Sequence, residues 1–343
     1  MTDVLCLNNF PSFKCKCGAC RNTCCKLWHI TLSEDEYFKI SSLECSDKLK
    51  EKLKYALYPL PHPTEDKYAD FNLTYEGNCP LLDEKGFCSL QCECGETVLP
   101  SICNNYPRSN RFIEKQEISL STSCEGVMES LLNSNKMFFE SYSFDDNYFS
   151  FNVNENNIPE VMIREKSISF IQDSNFSFKD RFNNLRTYFE SILQKEIIDL
   201  NDQVKGNLVS FLNTIIKDLF DKDMYIADLE SLYISNSEED FKSTCNNMTN
   251  LYPEILQYIE NILVNHMFYM NYPFYNNQRE YETSYISLYT IYSLLLSIFL
   301  KYYDGSINNT LVDYLSFSFK IIEHTNFYHN ARVILNRIIK GLQ

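Results

Sequence analysis

The chain has 343 residues, of which 44% are hydrophobic and 15% aromatic, so it can bury a substantial core and is long enough for two domains. Its formal net charge of -15 argues against a general nucleic-acid binder, because such proteins cluster Lys and Arg to neutralise phosphates. The first residues lack a basic region followed by an apolar run and a cleavage site. We therefore expect a cytoplasmic protein whose thiols stay reduced instead of forming disulfides.

The distribution of cysteine divides the chain into two parts. Thirteen of the 14 cysteines lie between Cys6 and Cys124, and Cys245 is the remaining one. This pattern predicts a cysteine-rich domain over residues 1–135 and a helical domain over residues 136–343. The predicted fold is mostly α, with little β-structure in the cysteine-rich domain and an all-helical C-terminal domain.

In the cysteine-rich part, Ser33 followed by Glu36 forms the pattern of a helix capping box. We expect a helix that begins there, runs toward Tyr55 or Leu57 and stops before Pro59. Further along, the alternation of apolar and polar residues over 113–121 predicts a short strand.

From about Ser177 onward, the pattern predicts helices separated by short connections. Pro253 suits a first helical position, and Asp304-Gly305 is a typical helix end. The predicted helices cover residues 179–200, 204–220, 227–234, 239–251, 253–269, 281–303, 311–323 and 327–339.

One uncharged run, residues 283–300, has the length of a membrane span. Nine of its 18 positions are Ser, Thr or Tyr, however, and its apolar residues recur every three or four positions. We therefore interpret it as a buried helix and expect no membrane association.

The segment from residue 15 to residue 25 holds five cysteines in 11 positions. Thiolates this close repel one another unless a metal neutralises them, so the density predicts a bound metal or cluster. Zinc sites and iron–sulfur clusters both use four thiolates, and both remain open here. The later cysteines, Cys79, Cys88, Cys103 and Cys124, do not form a second regular zinc knuckle, which favours a cluster slightly.

Several blocks around these cysteines also carry a resemblance. In chain order they are Phe13-Lys14-Cys15 with Cys20, Thr23-Cys24-Cys25 with Trp28, Ile30, Thr31 and Leu32, Cys79-Pro80-Leu81-Leu82, Phe87-Cys88-Ser89-Leu90-Gln91 with Gly95, Glu96 and Leu99, Cys103-Asn104-Asn105-Tyr106-Pro107-Arg108, and Ser119-Leu120-Ser121 with Ser123-Cys124. In this order over residues 13–126, they resemble the flagellin lysine-N-methylase family. That family is related to proteins with an eight-cysteine domain described as zinc- or iron-chelating.

The resemblance implies a set of metal ligands and an activity. The eight family cysteines are Cys15, Cys20, Cys24, Cys25, Cys79, Cys88, Cys103 and Cys124. The implied activity is methyl transfer from S-adenosylmethionine to lysine side chains of flagellin, with an associated [4Fe-4S] cluster and zinc as the alternative metal. The other cysteines are interpreted as ordinary packing residues and not as metal ligands. They are Cys6, Cys17, Cys45, Cys92, Cys94 and Cys245.

The sequence does not say which thiols hold the cluster. The side chains of adjacent Cys24 and Cys25 point apart in most backbone conformations, so both are not expected to bind one cluster. We expect the first cysteine block, residues 15–25, to supply Cys20 and either Cys24 or Cys25 as ligands, and later cysteines to complete the site. A cluster together with a zinc ion, using all eight, is a competing arrangement.

The eight glycines never occur as Gly-x-Gly, so the sequence lacks the glycine-rich strand-to-helix turn of Rossmann-type methyltransferases. Arg108 is the candidate for binding a cofactor carboxylate, because its guanidinium presents two parallel donors, and a structural ion pair is the alternative. Trp28 is interpreted as a core residue that shields the metal, and the scattered histidines, such as His324 and His329, predict no metal pair. The alternative function is a non-catalytic interaction module that zinc or a cluster only staples.

Overall fold

The computed structural model describes residues 2–26, 30–144, 158–197, 238–275, 280–325, 327–331 and 333. The chain divides into two compact units. The helical unit comprises Met1–Phe13, Ser109–Ser123 and Val127–Gln343, and the cysteine unit comprises Lys14–Arg108 and Cys124–Gly126. The division into domains 1–135 and 136–343 stays a prediction.

The described strands form two small sheets. They are β1 (Thr2–Leu7), β2 (Thr31–Leu32), β3 (Leu57–Pro59), β4 (Ala69–Phe71), β5 (Arg108–Phe112), β6 (Gln116–Leu120) and β7 (Phe139–Phe144). One sheet has the order β5-β6-β1-β7, with β1 parallel to β6 and antiparallel to β7. The other is antiparallel in the order β2-β4-β3.

The strand predicted near residues 113–121 is confirmed as β6, but β1 and β7 are not among the predictions. β1 forms because Val4, Leu5, Cys6 and Leu7 are all buried, so it lies between two partners and has no exposed face to alternate. β7 pairs with β1 over its whole length, from Thr2 to Leu7. The prediction of an all-helical domain over residues 136–343 was therefore wrong at β7.

Helices dominate the rest of the described chain. They are α1 (Glu34–Ser41), α2 (Asp47–Ala56), α3 (Ser89–Cys94), α4 (Ser101–Asn105), α5 (Glu125–Asn133), α6 (Ile158–Ile171), α7 (Phe178–Leu193), α8 (Glu238–Leu251), α9 (Glu254–Tyr269), α10 (Tyr281–Tyr302) and α11 (Asn309–His324). The fold is thus mostly helical with little strand, and its C-terminal region is helical.

The single helix predicted from Ser33 toward Leu57 is two helices, α1 and α2. The capping box is confirmed, since Ser33 Oγ accepts a hydrogen bond from the Glu36 N–H at 3.3 Å and the Ser33 N–H donates to Glu36 Oε2 at 2.9 Å. A second cap divides the segment, because Ser46 Oγ accepts from the Leu49 N–H at 3.2 Å. The Glu93 carboxylate fixes that cap by accepting from the Ser46 hydroxyl at 2.9 Å.

The C-terminal helices agree with the predicted boundaries to within about two residues at α8, α9, α10 and α11. Helix α7 ends at Leu193, earlier than the predicted Leu200, at a left-handed Gln194. The sequence did not predict α6, whose buried face includes Arg164 and Ser167 and therefore does not show as an apolar stripe. The predicted helices over 204–220 and 227–234 lie outside the described residues, as does most of 327–339, of which 327–331 is helical.

The long uncharged helix α10 is a core helix. Among the described helices, it alone has the length and apolar composition of a membrane span, and 83% of its most apolar 18-residue window is buried inside the structure. The hydroxyls of Thr290, Ser293 and Ser297 donate to carbonyls of the preceding turn, at 2.8 Å for Thr290 to the Ile286 carbonyl. These bonds satisfy hydroxyl groups that have no access to water.

A buried charge network joins the sheet of the helical unit to α6 and α9. Glu117 on β6 accepts from Arg111 Nε at 2.6 Å and from Arg164 on α6, whose side chain is 1% exposed. Arg111 also donates to the carbonyls of Phe268 and Tyr269 at the end of α9. The Phe268 ring lies beside both guanidinium groups, with its centroid 4.7 Å and 5.2 Å from their central carbons.

The substitution Glu117→Gln leaves two buried guanidinium groups without their carboxylate. We expect the free energy of unfolding at pH 7 to fall by about 3–5 kcal/mol, because an uncompensated buried charge is costly. The matched control is Glu44→Gln, which removes an exposed carboxylate 3.3 Å from Lys50, and we expect it to cost less than about 1 kcal/mol. Denaturant unfolding followed by circular dichroism measures both losses, and equal losses would contradict this account.

The same network has a pH signature. Burial would raise the pKa of Glu117, but Arg111 and Arg164 outweigh burial and hold it below its ordinary value. The stabilisation by Glu117 is therefore complete above the unfolded pKa of about 4.3 and is lost as the pH falls through the lower folded value. The difference in the free energy of unfolding between the wild type and Glu117→Gln should therefore become smaller in that acid range, as measured by denaturant unfolding at a series of pH values.

Candidate metal centre

The cysteine unit has a small apolar core that supports several thiols. Its fully buried members are Leu32, Ile40, Leu49, Leu53, Ala56, Phe71, Leu81 and Leu90. Cys45, Cys79, Cys88 and Cys94 pack against this core from the side. The core therefore fixes the backbone that carries Cys79 and Cys88, while leaving their thiols at its edge.

The loop from Cys79 to Cys88 is a tight turn closed by backbone hydrogen bonds. Leu82 and Cys88 form an isolated antiparallel bridge, and the Leu82 N–H donates to the Cys79 carbonyl at 3.0 Å. Asp83 closes the tip, since its carboxylate accepts from the N–H groups of Lys85 and Phe87 at 2.9 and 2.8 Å. The two cysteines thus lie together at the base of the loop.

The first cysteine block is attached to this loop at two places. The Cys79 N–H donates to the Cys25 carbonyl at 2.8 Å, next to an isolated bridge between Lys26 and Asn78. Gly18 and Gly86 also meet backbone to backbone, because a Cβ on Gly86 would lie 3.0 Å from the Gly18 carbonyl oxygen. Gly86 also has a φ of +81°, which favours glycine.

Helix α4, which carries Cys103, is held to α1 by the capping-box residue. Glu36 uses one carboxylate oxygen for the Ser33 N–H, and its other oxygen accepts from the Ser101 N–H at 2.7 Å. Burial raises the pKa of Glu36, but these N–H donors outweigh it and lower the pKa below its ordinary value. An ionised Glu36 therefore helps to position Cys103.

These contacts bring together what we call the four-thiol group, Cys24, Cys79, Cys88 and Cys103. The pKa of Cys79 is raised to about 11, mainly by burial and in part by Cys88 and Cys24, which together outweigh the backbone N–H donors of Leu81 and Leu82. Burial also raises the pKa of Cys88 against the backbone N–H donors of Gln91 and Leu90, and the thiols of Cys92 and Cys24 add smaller contributions. Cys103 is exposed as a residue, yet desolvation by the protein around its thiol raises its pKa, as do Cys79, Cys24 and Cys88.

A second set, which we call the three-thiol group, consists of Cys15, Cys20 and Cys124. The pKa of Cys20 is raised to about 12, mainly by burial and in part by Glu125, Cys124 and Cys15. Cys17 adjoins this set, since its N–H donates to Cys15 Sγ at 3.3 Å. The thiol of Cys15 raises the pKa of Cys17 more than any other group does.

Glu125 holds the first cysteine block in place, and sequence reasoning did not single it out. It is 1% exposed, and its carboxylate accepts from Lys16 Nζ at 2.6 Å and from the Asn22 N–H at 2.8 Å, with Arg21 at 3.2 Å. Burial would raise its pKa, but the Asn22 N–H, Lys16 and Arg21 outweigh burial and lower it. Only its position after Cys124 gave a signal in the sequence.

The structure places the other predicted residues as follows. Cys25 is half-buried and bonds through its backbone N–H to Thr23 Oγ1 at 3.2 Å. Arg108 is half-buried at the start of β5, and its role in cofactor binding stays a prediction. Trp28 and His29 lie outside the described residues. Cys6 and Cys245 are buried in the helical unit.

The donor chemistry of the four-thiol group suits a metal cluster. None of the 14 cysteines forms a disulfide. Among the described residues, no three Cys, His, Asp or Glu side chains are arranged to hold a single metal ion. The group does supply four soft sulfur ligands from three chain segments, and thiolates are the ligands that iron–sulfur clusters and zinc both use.

Comparison with known proteins gives relatives by sequence only. No family model matches the chain, and no solved structure matches it. The lysine-N-methylases of Salmonella typhimurium and Salmonella choleraesuis are each 32% identical over 124 residues, which is 35% of this chain and 30% of the relative. The flagellar biosynthetic protein FliU of Salmonella muenchen is 32% identical over 124 residues, which is 72% of its length. The chain belongs to the flagellin lysine-N-methylase family.

Proposed function

We propose that this protein is a cytoplasmic methyltransferase that transfers methyl groups from S-adenosylmethionine to lysine side chains of flagellin. Family membership supports this proposal, because two relatives are named lysine-N-methylases and a third is named a flagellar biosynthetic protein. The observation that carries the cofactor part of the proposal is the four-thiol group, which gathers Cys24, Cys79, Cys88 and Cys103 from distant parts of the sequence.

We assign a [4Fe-4S] cluster to the four-thiol group, with zinc as the alternative metal. Four sulfurs at about 2.3 Å from one tetrahedral zinc lie roughly 3.8 Å from one another. A cluster separates its cysteine sulfurs further, because each sulfur binds a different iron. The four thiols come from three chain segments and raise one another's pKa, and we assign them to the wider arrangement of a cluster.

Cys24, Cys79, Cys88 and Cys103 would hold the cluster. If three of these thiols held it, the cluster would supply an iron able to bind the amino and carboxylate groups of S-adenosylmethionine, whereas with all four as ligands it would only stabilise the fold. The buried Glu125 and the Gly18–Gly86 contact would keep the first cysteine block in register with the Cys79–Cys88 loop.

Methyl transfer to lysine needs no radical. The lone pair of a neutral lysine amine attacks the methyl carbon, the bond from that carbon to the sulfonium sulfur breaks, and the sulfur keeps the electron pair. The products are a methylammonium group and S-adenosylhomocysteine. The protein must therefore align the two substrates and remove a proton from the lysine ammonium, whose ordinary pKa of about 10.4 keeps it charged at neutral pH.

Anaerobically purified protein should methylate flagellin in the presence of S-adenosylmethionine. Mass spectrometry of the flagellin and chromatography of the small molecules should give one S-adenosylhomocysteine for each methyl group added. We expect Cys79→Ser to abolish the activity, because it removes a proposed ligand. The exposed Cys92→Ser, outside the eight family cysteines, should retain it.

Two results would contradict the proposal. Stoichiometric 5′-deoxyadenosine would exclude the polar mechanism. Protein that fails to bind S-adenosylmethionine and to methylate flagellin, while keeping its metal, would favour the alternative of a stapled interaction module.

The contact between Gly18 and Gly86 can be tested through metal content. In Gly86→Ala the new Cβ lies 3.0 Å from the Gly18 carbonyl oxygen, so the backbone at Gly18 must shift by a few tenths of an ångström relative to the Cys79–Cys88 loop. We expect the iron or zinc bound per folded chain to fall by at least about half.

The matched control is Gly95→Ala. Gly95 also has a positive φ, of +87°, but a Cβ there meets nothing within 4 Å. Both variants therefore carry backbone strain, and only Gly86→Ala shifts the two cysteine segments relative to each other. Equal metal content in the two variants would show that the contact does not position the thiols.

A further inference from the structure

The outer face of the β2-β4-β3 sheet, in the cysteine unit, carries polar and aromatic side chains that the thiol chemistry does not use. Leu32 and Phe71 belong to the buried apolar core, so the residues that alternate with them lie on the opposite face of the sheet. On that face, Asp70 of β4 pairs with Tyr58 of β3 and with Thr31 of β2. Tyr58 is 59% exposed and Thr31 is also exposed, so this face is accessible to a partner.

Helix α1 adds an aromatic surface beside this face. The ring of Tyr68 lies 5.0 Å from the ring of Tyr37 and 5.5 Å from that of Phe38, between centroids, and we call these three residues the aromatic triad. The Tyr68 N–H donates to the Leu32 carbonyl at 2.8 Å, so Tyr68 extends β4 and lies on the same face as Asp70, two residues further on. Phe38 is 53% exposed, and the triad therefore presents aromatic surface to solvent.

Acidic side chains surround the aromatic triad. Glu34 and Asp35 lie one helical turn before Phe38 on α1. The Glu34 N–H donates to the Glu65 carbonyl at 2.8 Å, which places Glu65 and the adjacent Asp66 against the start of α1. These four carboxylates give the surface around the triad a negative charge.

The basic side chains of the same segments do not cancel this charge. Lys39 Nζ donates to the Thr97 carbonyl at 2.7 Å, and Lys67 is exposed. Two lysines are fewer than the acidic residues around the triad, so the surface is complementary to a positively charged partner.

The Asp70 carboxylate is a second, independent indication of a cation. Its Oδ1 is buried and has no hydrogen-bond partner among the described residues, whereas Oδ2 is not shielded in this way and the residue is partly exposed. A carboxylate that is partly withdrawn from water without a donor is costly. A cationic donor that binds Asp70 from the solvent side would compensate this cost.

We propose that the outer face of this sheet and the aromatic triad, together the docking surface, bind a lysine-bearing segment of the flagellin substrate. This inference rests on the proposed function and deepens it by placing a substrate-binding surface on the cysteine unit. A lysine ammonium would donate to the Asp70 carboxylate, while its methylene chain packs along the rings of Tyr58 and Tyr68, which also favour a cation beside them. The surrounding carboxylates favour further basic residues of the same segment.

Helix α1 connects the docking surface to the four-thiol group. The Glu36 carboxylate on α1 accepts from the Ser101 N–H at 2.7 Å, and Ser101 begins α4, the helix that carries Cys103. A segment bound beside α1 is therefore held on the same unit as the proposed cluster.

The first test is the binding of a synthetic capped peptide of alternating lysine and serine, measured by isothermal titration calorimetry with the purified protein at low salt. We expect Asp70→Asn and Phe38→Ser each to weaken binding by about threefold or more, because one removes the carboxylate and the other an aromatic contact. A peptide of alternating glutamate and serine should not bind.

The matched controls are Glu44→Gln and Tyr75→Ser. The Glu44 side chain is 95% exposed in the α1–α2 connection, and Tyr75 is fully exposed in the turn over residues 74–77. Glu44→Gln changes the net charge as Asp70→Asn does, so both keep the same general attraction for the peptide, and both controls should bind it as the wild type does. All four variants should keep the circular dichroism spectrum and metal content of the wild type, because these side chains lie at the surface.

The second test is the kinetics of flagellin methylation. Asp70→Asn and Phe38→Ser should raise KM for flagellin by about threefold or more with little change in kcat, because they weaken docking and not the chemical step. Glu44→Gln and Tyr75→Ser should leave both constants unchanged.

The outcomes separate this inference from the proposed function. Methylation with an unchanged KM in both docking-surface variants, or equal effects of variants and controls, overturns the docking surface and leaves the methyltransferase intact. Peptide binding that depends on Asp70 and Phe38, in a protein that methylates no flagellin, supports the docking of a basic segment and overturns flagellin as its source. A dimer of the free protein that Phe38→Ser dissociates would show that this face binds a second copy, and would overturn the inference.

Discussion

Repulsion between crowded thiols is the constraint on which the cysteine unit depends. Cys24, Cys79, Cys88 and Cys103 lie close enough that the ionisation of one opposes that of the others, and desolvation adds to the effect. Without a metal, these groups therefore stay protonated at neutral pH. A positively charged iron or zinc centre would stabilise all of them as thiolates. A bound metal centre would compensate the repulsion between these thiols. That such a centre binds here is the central claim of the proposed function.

The other contacts of the cysteine unit hold the segments that carry these thiols in place. Its apolar core contains eight buried residues, which is little for a segment with many turns and short helices. Three carboxyl side chains add specific connections: Glu125 to the first block, Glu36 to the helix that carries Cys103, and Glu93 to the start of α2. A bound metal would supply the remaining stabilisation, as in other small domains of limited core.

Local signals in the sequence predicted much of this fold, and contacts between distant residues account for what they missed. The Ser33–Glu36 capping box and the helices from Glu238 to His324 were predictable because caps and apolar spacing are local. The pairing of β1 with β6 and β7 joins distant segments, and so does the bond from Glu36 to Ser101. The sequence predicted eight candidate metal ligands but not which of them lie near one another. Only the folded chain brings Cys20 near Cys124, and Cys24 near Cys79, Cys88 and Cys103.

The metal content of protein purified without exposure to oxygen tests the central claim most directly. Iron, acid-labile sulfide and zinc should be measured on one sample, together with its absorption spectrum. We expect about four irons and four sulfides per chain with a broad absorption band near ~400 nm, and a loss of both in Cys103→Ser. Zinc without iron or sulfide in that sample would contradict the account, because the thiols would then hold a structural ion and no cluster would take part in methyl transfer.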